Sequence, residues 1–189
     1  MKYFIGLIFV LVAKTTFSQE ILPGGYMKGS LVLSDSTRVQ GFIKDLMASR
    51  ASVIFLQDPG SRKKEYKGQD LESLEIGDTK FICLHGDFFR VILDGELELF
   101  QKSSDASQIP SYNGNEAIFL KGTEGRIKDY FVYDTRNKQL NLVTRKNYKE
   151  VTGSIFNGYP PSMAITTEPE ADINQLKKAV ELYNTRLNK

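Results

Sequence analysis

Between Gly25 and Gln101 the chain keeps a period of two, broken at short intervals by turn residues, and this pattern restricts it to a sheet of short strands. In MKGSLVLS and TRVQGFIKD the alternation sets Leu31 and Leu33 with Val39 and Ile43 on an inward face. Lys28, Ser30, Gln40 and Lys44 then look outward. The intervening SDST carries short polar side chains that hydrogen-bond locally to backbone and favour a turn. Gly41 inside the second strand predicts a bulge or a close backbone approach.

SVIFL is apolar on both faces and reads as a central strand. A Pro-Gly turn, a short strand at Glu65–Lys67, a turn at Gly68–Asp70 and a strand ending at Ile76 follow it. Five short strands with tight links suit a small SH3-like or Sm-like barrel, and an open meander satisfies the same pattern. FFRVILDGELELF then predicts a hairpin on a two-residue Asp94-Gly95 loop of type I′, with Leu93 opposite Glu96, Ile92 opposite Leu97 and Val91 opposite Glu98. Apolar residues on both of its faces call for partial cover on each side.

Residues 102–116 are polar, rich in Ser, Asn and Gly, and aperiodic, which predicts a long mobile loop. AIFLKG, IKDYFVYD and LNLVT read as further strands, the last two joined by the turn TRNK. The period then changes. Tyr148, Val151 and Ile155 share a helical face, with Asn147 and Glu150 spaced as a capping box. Beyond a Pro-Pro loop at 160–161, Ile173, Leu176, Val180, Tyr183 and Leu187 form one stripe of an amphipathic helix, capped by Thr167 with Glu170 or by Asp172 with Gln175. Fewer than three heptads are present, so packing on the sheet is favoured over a coiled coil. The expected fold class is therefore α+β, mainly antiparallel β: a small-barrel-like or bent sheet with extra β-hairpins and a C-terminal amphipathic helix. A chain of this length buries roughly 70% of its unfolded surface in one core, so 19–189 is expected to be one globular domain, with a β body at 24–143 and a helical tail at 147–187.

The first eighteen residues, MKYFIGLIFVLVAKTTFS, have a different character. The apolar run Tyr3–Ala13 follows Lys2 and would span about 16 Å as a helix, roughly half a bilayer's hydrocarbon thickness. Thr16 and Ser18 precede Gln19 as small residues at a cleavage site, the layout of a secretory signal peptide. The chain has 25 Lys and Arg against 23 Asp and Glu, and removal of Lys2 and Lys14 with the signal balances them. A neutral exported chain has no long-range field to steer it onto nucleic acid, and no stable membrane span is expected after cleavage.

Taken in order, GYMKGSLVLSDSTRVQGFIKD, SVIFLQ, KEYKGQDLESLEI, the FFRVILDGELELF hairpin, LVTRKNYKEV and the ending AVELYN resemble an uncharacterised family of exported proteins from Gram-negative bacteria. The resemblance implies an exported β-rich body with a helical C-terminus, and it brings no activity, cofactor or catalytic residue. NGYPPSMAITTEPE departs from the longer helical stretch that such proteins carry there.

Reactive signatures are sparse. One histidine, His85, and one cysteine, Cys83, cannot build a zinc site of the usual composition. His85 before Gly86 reads as a turn residue, and Cys83, on the same strand face as Phe81, reads as a buried, inert thiol. Ser61 and Lys64 match a Ser-x-x-Lys spacing, but that chemistry needs a helix and these residues enter a strand. KGTEGRIK has a Gly-x-x-Gly spacing but joins strands, and reads as a hairpin turn.

Glu96 and Glu98 stand two apart on one strand face, about 7 Å between side-chain roots, within the range of carboxylate pairs that hydrolyse glycans. Arg62, Lys63, Lys64 and Lys67 around one turn form a candidate anionic-ligand patch, and equally a charged guard on a sheet edge. The sequence thus favours an exported, non-enzymatic binding or accessory domain of the bacterial cell envelope, needing no cofactor or metal, with an envelope protein or polymer as its partner. It would act in the periplasm, at the cell surface or outside the cell. A small envelope-glycan hydrolase is the alternative, and RNA binding through an Sm-like barrel is opposed by the export signal and the neutral charge. Any binding is expected at the turn near residue 60 or in the 102–116 loop.

Overall fold

The computed structural model describes residues 24–113, 116–119, 122–167 and 172–186. The signal-peptide reading of 1–18 lies outside them, as do Glu170 and Leu187. Ten strands form one antiparallel sheet: β1 (Met27–Leu33), β2 (Arg38–Leu46), β3 (Ser52–Leu56), β4 (Lys64–Lys67), β5 (Leu71–Ile76), β6 (Thr79–Leu84), β7 (Asp87–Leu93), β8 (Leu97–Lys102), β11 (Tyr130–Asp134) and β12 (Gln139–Val143). A separate hairpin pairs β9 (Pro110–Asn113) with β10 (Glu116–Phe119). Helix α1 (Met47–Arg50) is a single turn, and α2 (Tyr148–Ile155), α3 (Pro160–Thr166) and α4 (Ile173–Thr185) follow the strands. The protein is α+β and mainly antiparallel β.

The sheet runs β12-β11-β8-β7-β6-β5-β1-β2-β3-β4 and is open, since β4 and β12 end it without pairing to each other. It is nevertheless strongly coiled. On a flat sheet β4 and β5, four places apart, would be about 19 Å from one another. They are joined only by the 3₁₀ turn Gly68–Asp70, whose peptide steps reach at most about 14 Å. The first five strands therefore curl as a small barrel does, without closing the hydrogen-bond ladder. Gly68 marks where the curl closes sterically: a Cβ there would lie 2.3 Å from the Gly86 carbonyl oxygen in the β6–β7 turn.

Both glycines of the Gly29–Gly41 cross-strand pair serve close approach rather than a bulge. A Cβ on Gly41 would sit 2.2 Å from the Leu56 oxygen and 2.7 Å from the Phe55 ring. The register is unbroken there and shifts instead at Val32–Leu33 and at Val91–Leu93. SVIFL is internal, flanked by β2 and β4, but lies next to the edge of the sheet rather than at its centre.

Alternation places one set of side chains on a common face along the whole sheet. At the barrel-like end, Leu31, Ile43, Val53, Phe55, Tyr66, Leu74, Phe81 and Phe88 pack together on that face. At the other end the same face carries Leu97, Leu99, Val132 and Val143, covered by Leu176, Ala179 and Val180 of α4 and by Tyr148 and Phe156. Each fully buried Leu or Val there contributes about 1.5–3 kcal/mol of apolar burial. On the opposite face Phe89, Phe100 and Phe131 form their own cluster, so the hairpin of β7 and β8 is covered on both sides as its sequence requires. Ser30, expected to face outward into solvent, is buried, 3.5 Å from the Glu75 carboxylate.

Five further local expectations are corrected. The β7–β8 connection is the three residues Asp94–Glu96, with Val91 opposite Phe100 and Leu93 opposite Leu99. A type I′ turn needs positive φ at both central residues, and Asp94 does not have it. The cause is tertiary: Asn184 of α4 accepts from the Leu97 N–H at 3.0 Å and donates to its carbonyl at 2.8 Å, taking the place of a strand partner. His85 and Gly86, at φ 52° and 85°, form the tight two-residue turn instead, between β6 and β7.

The expected mobile loop at 102–116 is largely structured. It contains the end of β8, a 3₁₀ turn at Ala106–Gln108 and β9, because Lys102, Ser104 and Ala106 are drawn into the interior. KGTEGRIK is not a hairpin turn, since β10 pairs with β9 and β11 with β8 and β12. The Pro-Pro segment, read as a loop, starts α3, where a proline at the first helical positions loses no intrahelical bond.

The expected Asn147–Glu150 capping box is absent. Asn147 precedes α2 but turns its side chain back to Thr144 and Leu142. For α4 the Asp172–Gln175 alternative holds: the Asp172 carboxylate accepts from Asn174 and Gln175 N–H, and Gln175 returns a bond to the Asp172 N–H. The stripe Ile173, Leu176, Val180 and Tyr183 faces the sheet, as its spacing requires.

Candidate functional site

A cleft of about 660 Å³ opens where β12 leaves the sheet and α2 and α4 begin. A tight turn builds one wall. The Thr144 N–H and hydroxyl both donate to Asn147 Oδ1, at 2.7 and 2.8 Å, and Asn147 Nδ2 donates to the Leu142 carbonyl at 2.8 Å. With its ends clamped, the turn presents Arg145 and Lys146 to solvent, and Lys149 joins them from the first turn of α2. The start of α4 forms the other wall through Asp172, Ile173 and Leu176. Val143, Tyr148 and Leu176 make a buried floor, and Tyr130 and Ile173 stand half-buried above it.

The polar groups of the floor are already engaged. The Tyr148 hydroxyl donates to the Asp172 carbonyl at 3.4 Å and ties the two walls together. Burial, with the Asp172 charge second, pushes the Tyr148 hydroxyl up to about 12, so it stays a neutral donor at any physiological pH. The Asp172 carboxylate is held below the usual range by the backbone N–H groups it caps, and its charge is spent on the start of α4. Arg145, Lys146 and Lys149, by contrast, form no ion pair among the described residues. The site is an apolar floor under one cationic rim.

The sequence-derived candidates fall elsewhere and do not converge. Arg62 and Lys63 lie exposed in the turn before β4. Lys64 stands 4.5 Å from the centroid of the Tyr66 ring, and that contact raises its ammonium above the ordinary value. Lys67, an odd number of residues away on the same strand, projects from the opposite face. Together they line the β4 edge of the sheet, where lysines hinder pairing with another chain.

Glu96 is not on a strand. Its two oxygens are bonded to Arg136 and Arg186, the latter stacked over the Tyr183 ring. Glu98, on β8, is instead hydrogen-bonded to Asp94, which also pairs with Lys80 at 2.9 Å. Burial, then Asp94, pushes Glu98 up to about 7, while Lys80 draws Asp94 down. Two carboxyl groups with values moved apart are thus present, but the second is Asp94 rather than Glu96. Cys83 packs against the barrel-like core, and burial pushes its thiol up to about 12, as the inert reading requires.

A second polar centre is internal. Asp87 and Lys102 pair at 3.2 Å with both side chains fully buried. Asp87 also accepts from the Ser104 hydroxyl, the Ala106 N–H and the Thr123 N–H and hydroxyl, and Lys102 donates to the carbonyls of Thr123, Glu124 and Gly125. Every polar atom is satisfied, so this pair pins the two connections flanking β9 and β10 to the sheet.

Sequence reasoning singled out neither the cleft nor this pair. The available signal for the cleft was the cationic density of TRKNYK beside a helix start. Among the described residues, no group of three or more His, Cys, Asp or Glu side chains is placed to hold a metal ion, and no helix is long and apolar enough to cross a membrane. A scan against protein-family models, a search of curated proteins and a search of solved structures each found no match.

Proposed function

We propose that this protein is an exported, non-enzymatic binding or accessory domain of the bacterial cell envelope, and that the cleft between α2 and α4 holds an anionic ligand. One observation carries the reading: among the described residues, three cations without ion-pair partners rim a cleft whose floor is apolar and whose one lining carboxylate is committed to a helix cap. Unneutralised cations beside desolvated surface favour an anion more than cations in open water do. Export rests on the layout of residues 1–18.

The test has two parts. Intact mass of the protein isolated from its native cell reports whether cleavage after Ser18 has occurred, and a retained Met1–Ser18 refutes export. Titration of acidic envelope fractions into labelled protein should give saturable amide shifts at residues 143–149 and 172–176. Shifts elsewhere, or none, refute the site.

A hydrolase acting on envelope glycan is the second reading, favoured by the Glu98 carboxyl at about 7 beside a depressed Asp94. Release of new reducing ends from envelope glycan, abolished by Glu98→Gln, would replace the binding reading with this one.

A further inference from the structure

Resting on the binding reading of this cleft, we infer that its ligand is a soluble single-chain amphiphile with an anionic head, the alkyl chain lying on the floor and the head at the cationic rim. Charge fixes the head. Arg145, Lys146 and Lys149 are exposed on one side of the mouth, and the Asp172 carboxylate opposite them accepts three hydrogen bonds from Asn174 and Gln175.

The floor fixes the body. Val143 and Leu176 offer only carbon, the Thr144 hydroxyl donates to Asn147, and the Tyr148 hydroxyl donates to the Asp172 carbonyl. A ligand bearing hydroxyl groups along its length would lose water there and find few partners, at a cost of roughly 1–3 kcal/mol for each unsatisfied group. An alkyl chain loses nothing polar and gains apolar contact. The volume, about 660 Å³, is in the range of small-molecule pockets and far exceeds what a bare inorganic anion needs. The occupant is a monomer rather than a bilayer because the apolar residues are recessed below the charges, whereas membrane-seated surfaces project their apolar groups outward.

Calorimetric titration of the purified protein with dodecanoate and dodecyl phosphate, both below their micellar concentrations, tests this. Both should bind with one-to-one stoichiometry and a negative heat-capacity change, and shift the methyl resonances of Val143, Ile173 and Leu176. Acetate and inorganic phosphate should bind at least about 100-fold more weakly, a loss of roughly 2.7 kcal/mol. Arg145→Glu and Lys149→Glu, both exposed, should each weaken dodecanoate at least tenfold with an unchanged thermal midpoint.

Equal binding of dodecyltrimethylammonium overturns the inference, as does binding only to anionic vesicles or indifference to both charge reversals. If inorganic phosphate or an acidic oligosaccharide shifts the cleft resonances and the amphiphiles do not, the chain-binding inference fails and the anion-site reading stands. If no anion of any kind shifts them, both fail.

Discussion

Lys102→Met cuts the buried Asp87–Lys102 pair while keeping most of the aliphatic stem, so it isolates the charge. Both partners are fully buried at 3.2 Å, and Asp87 would be left as a charged carboxylate with no counter-ion. Breaking one side of such a pair costs about 3–5 kcal/mol. Two features set the value near the lower end. Asp87 keeps its four hydrogen bonds from Ser104, Ala106 and Thr123, and the carbonyls that Lys102 loses belong to a connection whose Glu124 is exposed to water. A loss of about 3 kcal/mol is expected from urea unfolding at constant slope, a large share of the 5–15 kcal/mol typical of a domain.

The double variant with Asp87→Asn should lose less than the sum of the two single losses, because each single change already breaks the same pair. Amide exchange at Phe88, Ala106 and Thr123 should quicken ahead of the rest of the sheet, since their N–H groups bond to the Asp87–Ser104 network. A loss under about 1 kcal/mol for Lys102→Met, the size of a solvent-exposed pair, would refute the dry ion pair.

Three further outcomes follow from particular contacts. Asn184→Ala removes both bonds to the Leu97 backbone and should cost about 2–3 kcal/mol, with loss of exchange protection at Leu97; an unchanged unfolding midpoint would contradict the strand-partner role. Gly41→Ala forces a Cβ to within 2.2 Å of the Leu56 oxygen and should cost about 1–3 kcal/mol by calorimetry, whereas tolerance would show that β2 and β3 can part there. Glu98 titrates near 7 when folded against an ordinary 4.5, so folding favours its protonated form. The stability it adds is complete below pH 4.5 and is lost as pH rises through 7, so the thermal midpoint should fall between pH 5 and pH 8. Glu98→Gln should flatten that fall, and a slope unaltered by the substitution would assign it to other groups.

The strands of the barrel-like end were readable in the sequence because each is short, alternating and closed by local turn chemistry. Leu31, Val39 and Ile43 sit where a period of two places them, and Asp35 accepts from the Thr37 N–H at 2.9 Å in the turn between them. The helix stripe of α4 and its Asp172–Gln175 cap were legible for the same reason, since cap and face are both encoded within a dozen residues. What could not be read is what distant residues impose. Asp94-Gly95 has the composition of a tight hairpin, yet its register answers to Asn184, separated from Leu97 by 87 positions. Lys102 stands in a polar stretch and looks solvated, but Asp87 and three carbonyls give its charge a place inside. The candidate carboxylates failed as a pair through Arg136 and Arg186, which hold Glu96 from 40 and 90 residues away. The cleft escaped notice because its walls come from β12, α2 and α4, and no local pattern announces that they meet.

The bond from Asn184 to Leu97 also orders events in time. A chain made from its N-terminus can pair β1 to β6 with one another once Leu84 has emerged, because all of these pairings, the β1–β5 crossover included, lie within residues 27–84. The corner between β7 and β8 must wait for a clasp synthesised nearly ninety residues later, so any interruption of synthesis before Asn184 leaves the Leu97 backbone groups without that partner. The molecule can thus complete its curled end early and still stay unlatched through its middle until the final helix arrives.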